Sequence, residues 1–299
     1  MTTFSEWMRD NLLSSWQGLI TQDIDYIIFS NDFKSFVILE EKNSEWAKVG
    51  PAQAVIFKFL DEFLSLQSSV QFYGCFLVYA LHEGNIYINP KIIRQKNDWI
   101  ADLKGSPSIS LNKLKNLFCN KQDQLKKDYY AEWWNPIIEN SKLYDCKDEP
   151  SEYKTTPERT RYRGTNLCNI CSNMKKVHWI FVNYCTGYFI LLEERTFSDG
   201  NYKPNPHERV LIQTINDIFE ESNRLNLSMP KVKNPKSEKP YQYLGYFLIE
   251  FDKNIPDDSQ NIWLNHKQIR LDDLKVFLNL DSDKALEIVE RYKKTWWEP

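Results

Sequence analysis

Apolar residues recur with two different periods along the first half of the chain. Residues 4–16 and 53–66 carry them at the three- and four-residue spacing of an amphipathic helix. Shorter apolar runs, rich in β-branched and aromatic residues, predict strands at 25–29, 36–40, 70–81 and 85–89. The predicted order is therefore helix, strand, strand, helix, strand. A connection that runs from the second strand through a helix to the third predicts a parallel crossover in a mixed sheet.

The second half of the chain repeats this order. Its pattern predicts strands at residues 178–183 and 188–193, a helix at 206–225 and a strand at 243–251. The first strand pair, DIDYIIFSNDFKSFVILEEK, aligns without a gap with the second, KVHWIFVNYCTGYFILLEER. Further matches follow in the same order, and both halves end on a WWxP motif. Five ordered matches favour an internal duplication over the chance likeness of apolar strands.

The fold class predicted from these patterns is α/β, with a mixed sheet and helices in each of two tandem units. The first unit covers residues 1–136 and the second covers 164–299, while the polar, charged stretch 137–163 is predicted to be a linker.

Composition excludes several classes of protein. The 42% hydrophobic and 26% charged residues are typical of a soluble globular protein, and only nine glycines are present. Neither GxxxxGK[ST] nor GxGxxG occurs, so a phosphate-binding glycine loop is not expected. A net charge of −3 gives no global basic field for nucleic acid, although a local basic groove stays compatible with it.

Targeting signals are not evident either. The chain begins without a basic segment followed by an apolar core, and no run approaches 18 apolar residues. We therefore expect no secretion signal and no membrane span. Six cysteines are too few for a disulfide scaffold of this size, so a reduced, cytoplasmic setting is the default expectation.

Candidate chemistry lies at the ends of the predicted strand pair. Side chains alternate along a strand, so Glu40 and Lys42 share one face, and Asp25 opens the neighbouring strand. Two carboxylates on adjacent strands suit Mg²⁺ or Mn²⁺, which prefer oxygen ligands and retain several waters. A lysine beside them can orient a water molecule or stabilise developing negative charge.

This pattern resembles the PD-(D/E)xK nuclease superfamily, with its restriction-endonuclease-like αβββαβ core. The resemblance implies a Mg²⁺-dependent endonuclease that hydrolyses phosphodiester bonds in nucleic acid, most often DNA. The positions that match are Asp25 for the first acid, Glu40 for the second and Lys42 for the lysine, with Asp23 as a rival first acid, Glu6 as an acid from the first helix and Gln53 on the following helix. No proline precedes the aspartate, which departs from the pattern.

The second copy carries altered residues at the same positions. His178 stands in place of Asp25 and Arg195 in place of Lys42, while Glu193 is retained. Histidine is a poorer magnesium ligand, and arginine is a phosphate binder, so this copy is predicted not to cleave. It could hold nucleic acid or act as a built-in dimer partner; His178 and Glu193 binding a different metal is an alternative. One site per chain implies nicking, or double-strand cleavage by a homodimer.

Other motifs carry weaker signals. Cys168-x-x-Cys171 could bind Zn²⁺ with Cys185, His178 or Cys146, but two ordinary loop thiols are the favoured interpretation. A basic cluster could contact phosphates; its members are Arg159, Arg161 and Arg163, with Arg195 as a further candidate. A second cluster, Lys231, Lys233, Lys236 and Lys239, is more typical of a solvated loop. The tryptophan pairs could stack on bases but more often pack in a core.

Two other hypotheses fit the same residues. One is a non-catalytic nucleic-acid-binding or assembly module that kept the nuclease-like fold. The other is an unrelated α/β protein, since a Glu-Glu-Lys sequence is an ordinary end for a surface hairpin. Cleavage of DNA or RNA that depends on a divalent metal and on Lys42 would separate them.

Overall fold

The computed structural model describes residues 4–81, 84–140, 167, 170–235, 238–253 and 255–298. In these residues the chain is a mixed α/β protein. Its nine-stranded sheet has the order β11-β10-β9-β8-β7-β1-β2-β3-β4, and a separate two-stranded sheet contains β5 and β6. The described part of the chain has eight α-helices.

The elements of the first half follow in chain order. They are α1 (Phe4–Asn11), a 3₁₀ turn (Ser15–Gln17), β1 (Leu19–Phe29), β2 (Ser35–Lys42), α2 (Pro51–Leu64), β3 (Gln71–Ala80), β4 (Ile86–Ile88), β5 (Lys91–Gln95), β6 (Asp98–Asp102), α3 (Leu111–Asn120), α4 (Gln122–Tyr129) and α5 (Asn135–Glu139).

The second half has a shorter series. Its elements are β7 (Met174–Asn183), β8 (Tyr188–Thr196), α6 (Pro206–Ser228), β9 (Gln242–Phe251), β10 (Ile262–Leu264), β11 (Lys267–Gln268), α7 (Leu271–Asn279) and α8 (Asp283–Tyr292). None of the described helices is long and apolar enough to cross a membrane.

Two predicted elements have different bounds in the structure. The first helix ends at Asn11 rather than at residue 16; residues 15–17 form a separate 3₁₀ turn, which Gly18 ends with a φ of 106°. Strand β1 begins at Leu19, six residues before the predicted start. Polar Gln22 and Asp23 interrupt the apolar pattern, so the sequence does not predict the N-terminal part of this strand.

The strands around each long helix pair as the sequence predicts. Strands β2 and β3 are parallel, with α2 between them in the chain, and β8 and β9 are parallel, with α6 between them. Helices α2 and α6 each have a proline in the first turn, where its missing N–H is not needed. Thus the parallel crossover connections inferred from the hydrophobic pattern are confirmed.

The chain divides into two compact units that are not contiguous in sequence. The N-terminal unit contains residues 24–140, 167 and 170–176, and the C-terminal unit contains residues 4–23 and 177–298. In the predicted segments 1–136 and 164–299, the stretch that precedes each strand pair belongs to the same unit as that pair. In the structure each of these two stretches belongs to the other unit. Most of the predicted linker, residues 141–163, lies outside the described residues.

Helix α1 shows this exchange most clearly. Phe4 and Trp7 are buried in the core of the C-terminal unit. The Phe4 ring lies 6.2 Å from that of Trp179 and 5.5 Å from that of Phe251, centroid to centroid. The first helix of the chain is therefore part of the core formed by strands of the second half.

The opposite exchange brings residues 167 and 170–174 into the N-terminal unit. Leu167 and Ile170 are buried in its core, and Cys171 forms a disulfide with Cys119 at the end of α3. The expectation that Cys171 is an ordinary thiol or a zinc ligand is wrong, since its sulfur is bonded to a residue 52 positions earlier. Cys168 and Cys146 lie outside the described residues.

Each unit also has a glycine at an irregular point of its parallel strand pair. The β2–β3 register shifts between Phe36 and Ile38, opposite Gly74, and the β8–β9 register shifts in the same way opposite Gly245. Their φ values are 118° and 139°. A Cβ at residue 74 would lie 2.6 Å from the Tyr130 ring, so only glycine fits there.

We predict that Cys171→Ser lowers the free energy of unfolding by about 2–4 kcal/mol, because the disulfide restricts the unfolded chain over a long loop. Urea unfolding with and without a reducing agent measures this. Reduction should destabilise the wild type and leave the variant unchanged. Cys185→Ser, at an exposed free cysteine, is the matched control. Equal stability of Cys171→Ser and the wild type would contradict the prediction.

Candidate active site

Asp25 and Glu40 lie opposite each other on neighbouring strands. The antiparallel register of β1 and β2 reaches Tyr26 and Leu39, and continuing it by one residue on each strand places Asp25 opposite Glu40, on one face of the sheet. The Asp25 Oδ2 atom accepts a hydrogen bond from the Glu41 backbone N–H at 2.8 Å. The side chain of Glu40 is only 5% exposed and that of Asp25 only 15%. The two predicted acids are therefore brought together.

Two donors converge on Glu40. Lys42 Nζ lies 2.8 Å from Glu40 Oε1, and Gln53 Nε2 donates to the same oxygen at 2.5 Å. Gln53 reaches this position because α2 begins at Pro51 and places its third residue beside the strand end. The structure thus groups three of the predicted residues, Glu40, Lys42 and Gln53, with Asp25 on the adjoining strand.

The electrostatics keep Lys42 charged. Burial lowers the pKa of its amine, but the Glu40 carboxylate, through its charge and hydrogen bond, and the charge of Asp25 outweigh this, and the pKa is raised above its ordinary value. Lys42 is consequently an ammonium at neutral pH. It can stabilise negative charge and donate hydrogen bonds, and it is not a general base.

Tyr79 is a member of this group that the sequence did not reveal. It lies on β3 directly beside Lys42 in the parallel register and is fully buried. Its hydroxyl donates to the Ala47 carbonyl at 3.0 Å. Burial raises the pKa of Tyr79 to about 12, so the phenol stays neutral. Alternation along β3 could have revealed it, because Tyr79 lies on the same face of the strand as Leu77, which pairs with Glu40.

A second lysine approaches the acids from β7. Lys176 Nζ lies 3.7 Å from Asp25 Oδ1, and its side chain is 21% exposed. In the sequence this residue lies more than a hundred positions from Asp25, so local patterns give no signal for it. Each of the two carboxylates therefore has an ammonium group close by.

Two further predicted acids lie on elements near the N-terminus. Glu6 is on α1, and Asp23 is on β1, where it accepts a hydrogen bond from Gln22 Nε2 at 2.8 Å. Arg159, Arg161 and Arg163 lie outside the described residues.

The corresponding face of the C-terminal unit holds a different network. Glu193 is completely buried, and Arg195 bridges it to Glu208, with Nη2 2.9 Å from Glu193 Oε1 and 3.3 Å from Glu208 Oε1. Tyr246 donates to Glu193 Oε2 at 3.2 Å. Glu208 is the third residue of α6, as Gln53 is of α2. A carboxylate thus takes the helix position that an amide takes in the N-terminal unit.

An aromatic ring completes the network around Arg195. The guanidinium lies 4.2 Å from the Tyr202 ring centroid and donates to its hydroxyl at 2.7 Å. That hydroxyl donates in turn to Glu208 Oε2 at 2.9 Å. His178 Nε2 is 3.7 Å from Glu193 Oε1, and its Nδ1 lies 2.9 Å from the Glu194 carbonyl oxygen. Arg195, a predicted nucleic-acid contact, is therefore engaged by two carboxylates of its own chain.

Metal ligands are sparse in both places. No group of three or more His, Cys, Asp and Glu side chains positioned to hold a metal occurs among the residues that the structure describes. The Asp25–Glu40 pair offers oxygen donors on two strands. In the C-terminal unit His178 replaces the first acid, and Arg195 already neutralises the second.

We predict that Tyr79→Phe reduces the loss of stability at alkaline pH. The folded-state pKa of Tyr79 is raised from 10.0 to about 12, so its contribution is full below pH 10 and is lost as the pH rises toward 12. Removing this titration should shrink the difference in unfolding free energy between pH 9 and pH 12 by about 2 kcal/mol. Urea unfolding at both values measures it. Tyr87→Phe, on β4 beside Tyr79, is the control, and equal shrinkage in both variants would refute the assignment.

We also predict that Arg195→Met lowers the free energy of unfolding by about 3 kcal/mol, because it strands the fully buried Glu193 without its cation. Arg195→Lys keeps the charge and should lose less. Chemical denaturation at neutral pH distinguishes the variants. An Arg195→Met protein as stable as the wild type would show that the bridge is not needed to bury Glu193.

Comparison with known proteins gives relatives without a described activity. No family model matches the chain, and no solved structure matches it. An uncharacterized protein of Archaeoglobus fulgidus is 40% identical over 144 residues, which are 45% of this chain and 92% of that protein. A second uncharacterized protein of the same organism is 42% identical over 106 residues, 34% of this chain and 74% of that protein. The chain therefore belongs to the same family as these uncharacterized archaeal proteins.

Proposed function

We propose that this protein is a metal-dependent nuclease that hydrolyses phosphodiester bonds in nucleic acid, with DNA as the first substrate to test. The chemistry is assigned to the N-terminal unit. The observation that carries the proposal is the bond from Lys42 to Glu40 at 2.8 Å on β2, with Asp25 on the adjoining strand accepting from the Glu41 N–H at 2.8 Å. This arrangement fits the acid, acid and lysine of the PD-(D/E)xK superfamily.

The residues present fit a magnesium or manganese ion. Asp25 and Glu40 supply hard oxygen donors from two adjacent strands, and such ions complete their shells with water. The ammonium groups of Lys42 and Lys176 lie within 4 Å of these carboxylates, which marks a place where positive charge is favourable. Bound there, the ion supplies a water of lowered pKa and charge neutralisation at phosphate.

The protein's own side chains divide the remaining tasks. Lys42 is a protonated amine whose role is to stabilise negative charge that develops on the phosphate oxygens. Gln53 is a positioning residue, because its amide fixes the Glu40 carboxylate that Lys42 also contacts. Tyr79 lies beside Lys42 on the neighbouring strand and is held there by its bond to the Ala47 carbonyl. These restraints keep the reacting face ordered before substrate arrives.

We further propose that the two units derive from a duplicated restriction-endonuclease-like fold. Both have an antiparallel strand pair, a helix with proline in its first turn, and a parallel third strand with an irregular glycine. The first relative is matched over 92% of its length by 45% of this chain, so it is about half as long as this chain. A half-length family member is what a duplicated ancestor predicts.

The C-terminal unit is proposed to be inactive in cleavage. Its first acid is replaced by His178, and the guanidinium of Arg195 occupies the space between Glu193 and Glu208. A non-catalytic role for the whole chain, in binding or assembly, is the second candidate function. The direct Lys42–Glu40 ion pair favours this second candidate, because a carboxylate bonded to Lys42 is less available to a metal ion.

We predict that Glu40→Gln and Lys42→Ala each lower the rate of cleavage by about a hundredfold or more, because each removes charge that acts at the reacting phosphate. Labelled DNA and RNA are incubated with Mg²⁺ or Mn²⁺ and with EDTA. Glu193→Gln, at the matching strand position in the C-terminal unit, should cleave like the wild type. Calorimetric titration with Mn²⁺ gives a second readout, in which Glu40→Gln binds the ion more weakly.

Two results would contradict this proposal. A wild-type protein that cleaves neither DNA nor RNA in the presence of either metal would exclude the nuclease function. Full activity of Glu40→Gln would exclude the assigned site. Circular dichroism melting curves confirm that each variant is folded before activity is compared.

A further inference from the structure

An exposed tryptophan stands close to the candidate site. Trp46 is 64% exposed and lies in the loop of residues 43–50 that joins β2 to α2, four residues after Lys42. The loop is turned by hydrogen bonds to Ser44, whose Oγ accepts from the Trp46 N–H at 3.2 Å and whose carbonyl accepts from the Ala47 N–H at 3.0 Å. An indole is thus presented to solvent on a structured turn.

A hydrogen bond joins the same loop to strand β3 beside the candidate site. The Ala47 carbonyl accepts the hydrogen bond from Tyr79, which lies beside Lys42 on the neighbouring strand. One residue separates Ala47 from Val49, whose N–H donates to the Trp99 carbonyl at 2.9 Å. Trp46 therefore holds a defined position relative to Lys42, and its loop is also joined to the β5–β6 hairpin.

Among the residues that the structure describes, the C-terminal unit has no hairpin at the place that corresponds to β5–β6. Asn89 and Asn265 each accept a hydrogen bond from the third strand of their unit at 2.7 Å, from Leu77 and Leu248 respectively. Residues 90–108 follow Asn89 and include the hairpin, before Ile109 donates to the Ile86 carbonyl. Only residues 266–268 follow Asn265 before Ile269 makes the matching bond to Ile262. The extra structure belongs to the unit that retains the acids and Lys42.

The loop and hairpin carry a local positive charge. Residues 43–50 and 90–108 together contain five basic and three acidic residues, a surplus of two in a chain whose net charge is −3. All five basic residues are exposed: Lys48, Lys91, Arg94, Lys96 and Lys104. Asp98 is neutralised by Lys48 at 3.0 Å, and the Arg94 guanidinium lies 6.0 Å from the Trp99 ring centroid. The surface beside Trp46 is therefore complementary to a polyanion.

We infer that Trp46 and the β5–β6 hairpin form a binding surface for single-stranded nucleic acid, which rests on the proposed nuclease function and narrows its substrate. The indole stacks on an unpaired base, and the hairpin cations contact phosphates beside it. Bases within a duplex are already stacked on each other and do not offer a free face to a side chain on a short loop. An aromatic platform with cations suits a single strand, and stacking of this kind is tolerant of sequence.

The test measures binding without cleavage. Labelled oligonucleotides of single-stranded DNA, single-stranded RNA and duplex DNA are titrated in EDTA, and fluorescence anisotropy gives the dissociation constant. The wild type should bind a single strand more tightly than the duplex. Trp46→Ala should weaken single-strand binding about tenfold, the loss expected for one stacked base. Trp46→Phe should recover most of it, since a phenyl ring also stacks.

The chain offers a matched control in Phe197. This side chain is 73% exposed and follows β8 by one residue, so it is the exposed aromatic residue at the same strand end of the C-terminal unit. Phe197→Ala should bind like the wild type. A charge-reversing variant, Lys96→Glu, should weaken binding most at low salt, because the contacts between cations and phosphates are screened as salt increases.

Opposite results overturn the inference. Equal affinity of Trp46→Ala and Phe197→Ala, tighter binding of duplex than of single strand, or no binding of any oligonucleotide would each do so. The proposed function is judged separately in Mg²⁺. Cleavage by a protein whose Trp46→Ala variant binds normally refutes this surface alone, whereas Trp46-dependent binding without cleavage refutes the nuclease function alone.

Discussion

A buried carboxylate at the end of a central strand is the constraint on which each unit is built. A carboxylate removed from water is destabilising by several kcal/mol unless a cation and hydrogen-bond donors meet it. Glu40 is met by Lys42 and Gln53, and Glu193 by Arg195 and Tyr246. Each acid is therefore met by the basic residue two positions later on its own strand and by one further donor. That donor is Gln53 of the following helix in the first unit and Tyr246 of the third strand in the second.

The two units satisfy the acid in chemically different ways. Lysine presents a single compact charge to Glu40. Asp25, on the adjoining strand, has a different cation beside it, Lys176. Arginine presents a planar fork that reaches Glu193 and Glu208 together and stacks on Tyr202. The first arrangement leaves two acids side by side, whereas the second closes the space with the protein's own groups. That difference is the reason our proposal assigns a metal ion to the N-terminal unit and none to the C-terminal unit.

Sequence patterns located the part of this site that depends on local geometry. Alternation along β2 placed Glu40 and Lys42 on one face, and the apolar run before Asp25 placed a strand next to it. Lys176 was missed because it reaches the site through a tertiary contact, which leaves no periodic signal. Tyr79 was missed although alternation along β3 could have placed it beside Lys42. The Cys119–Cys171 bond was missed for the same reason, since sequence alone does not fix disulfide connectivity. Helix α1 was recognised as a helix, but its partner strands lie far along the chain and could not be read from its own amphipathic pattern.

The position of α1 sets an order on how this chain can fold during synthesis. Phe4 and Trp7 leave the ribosome before most of the residues that they pack against, among them Phe251, Phe277 and Ile288. The N-terminal unit likewise lacks part of its core until Leu167 and Ile170 have been made. Contacts that span so much of a chain form slowly, because the long intervening loop must close before they are gained. Helix α1 therefore stays with its apolar face uncovered until strands and helices of the second half, as far as Ile288, have been made.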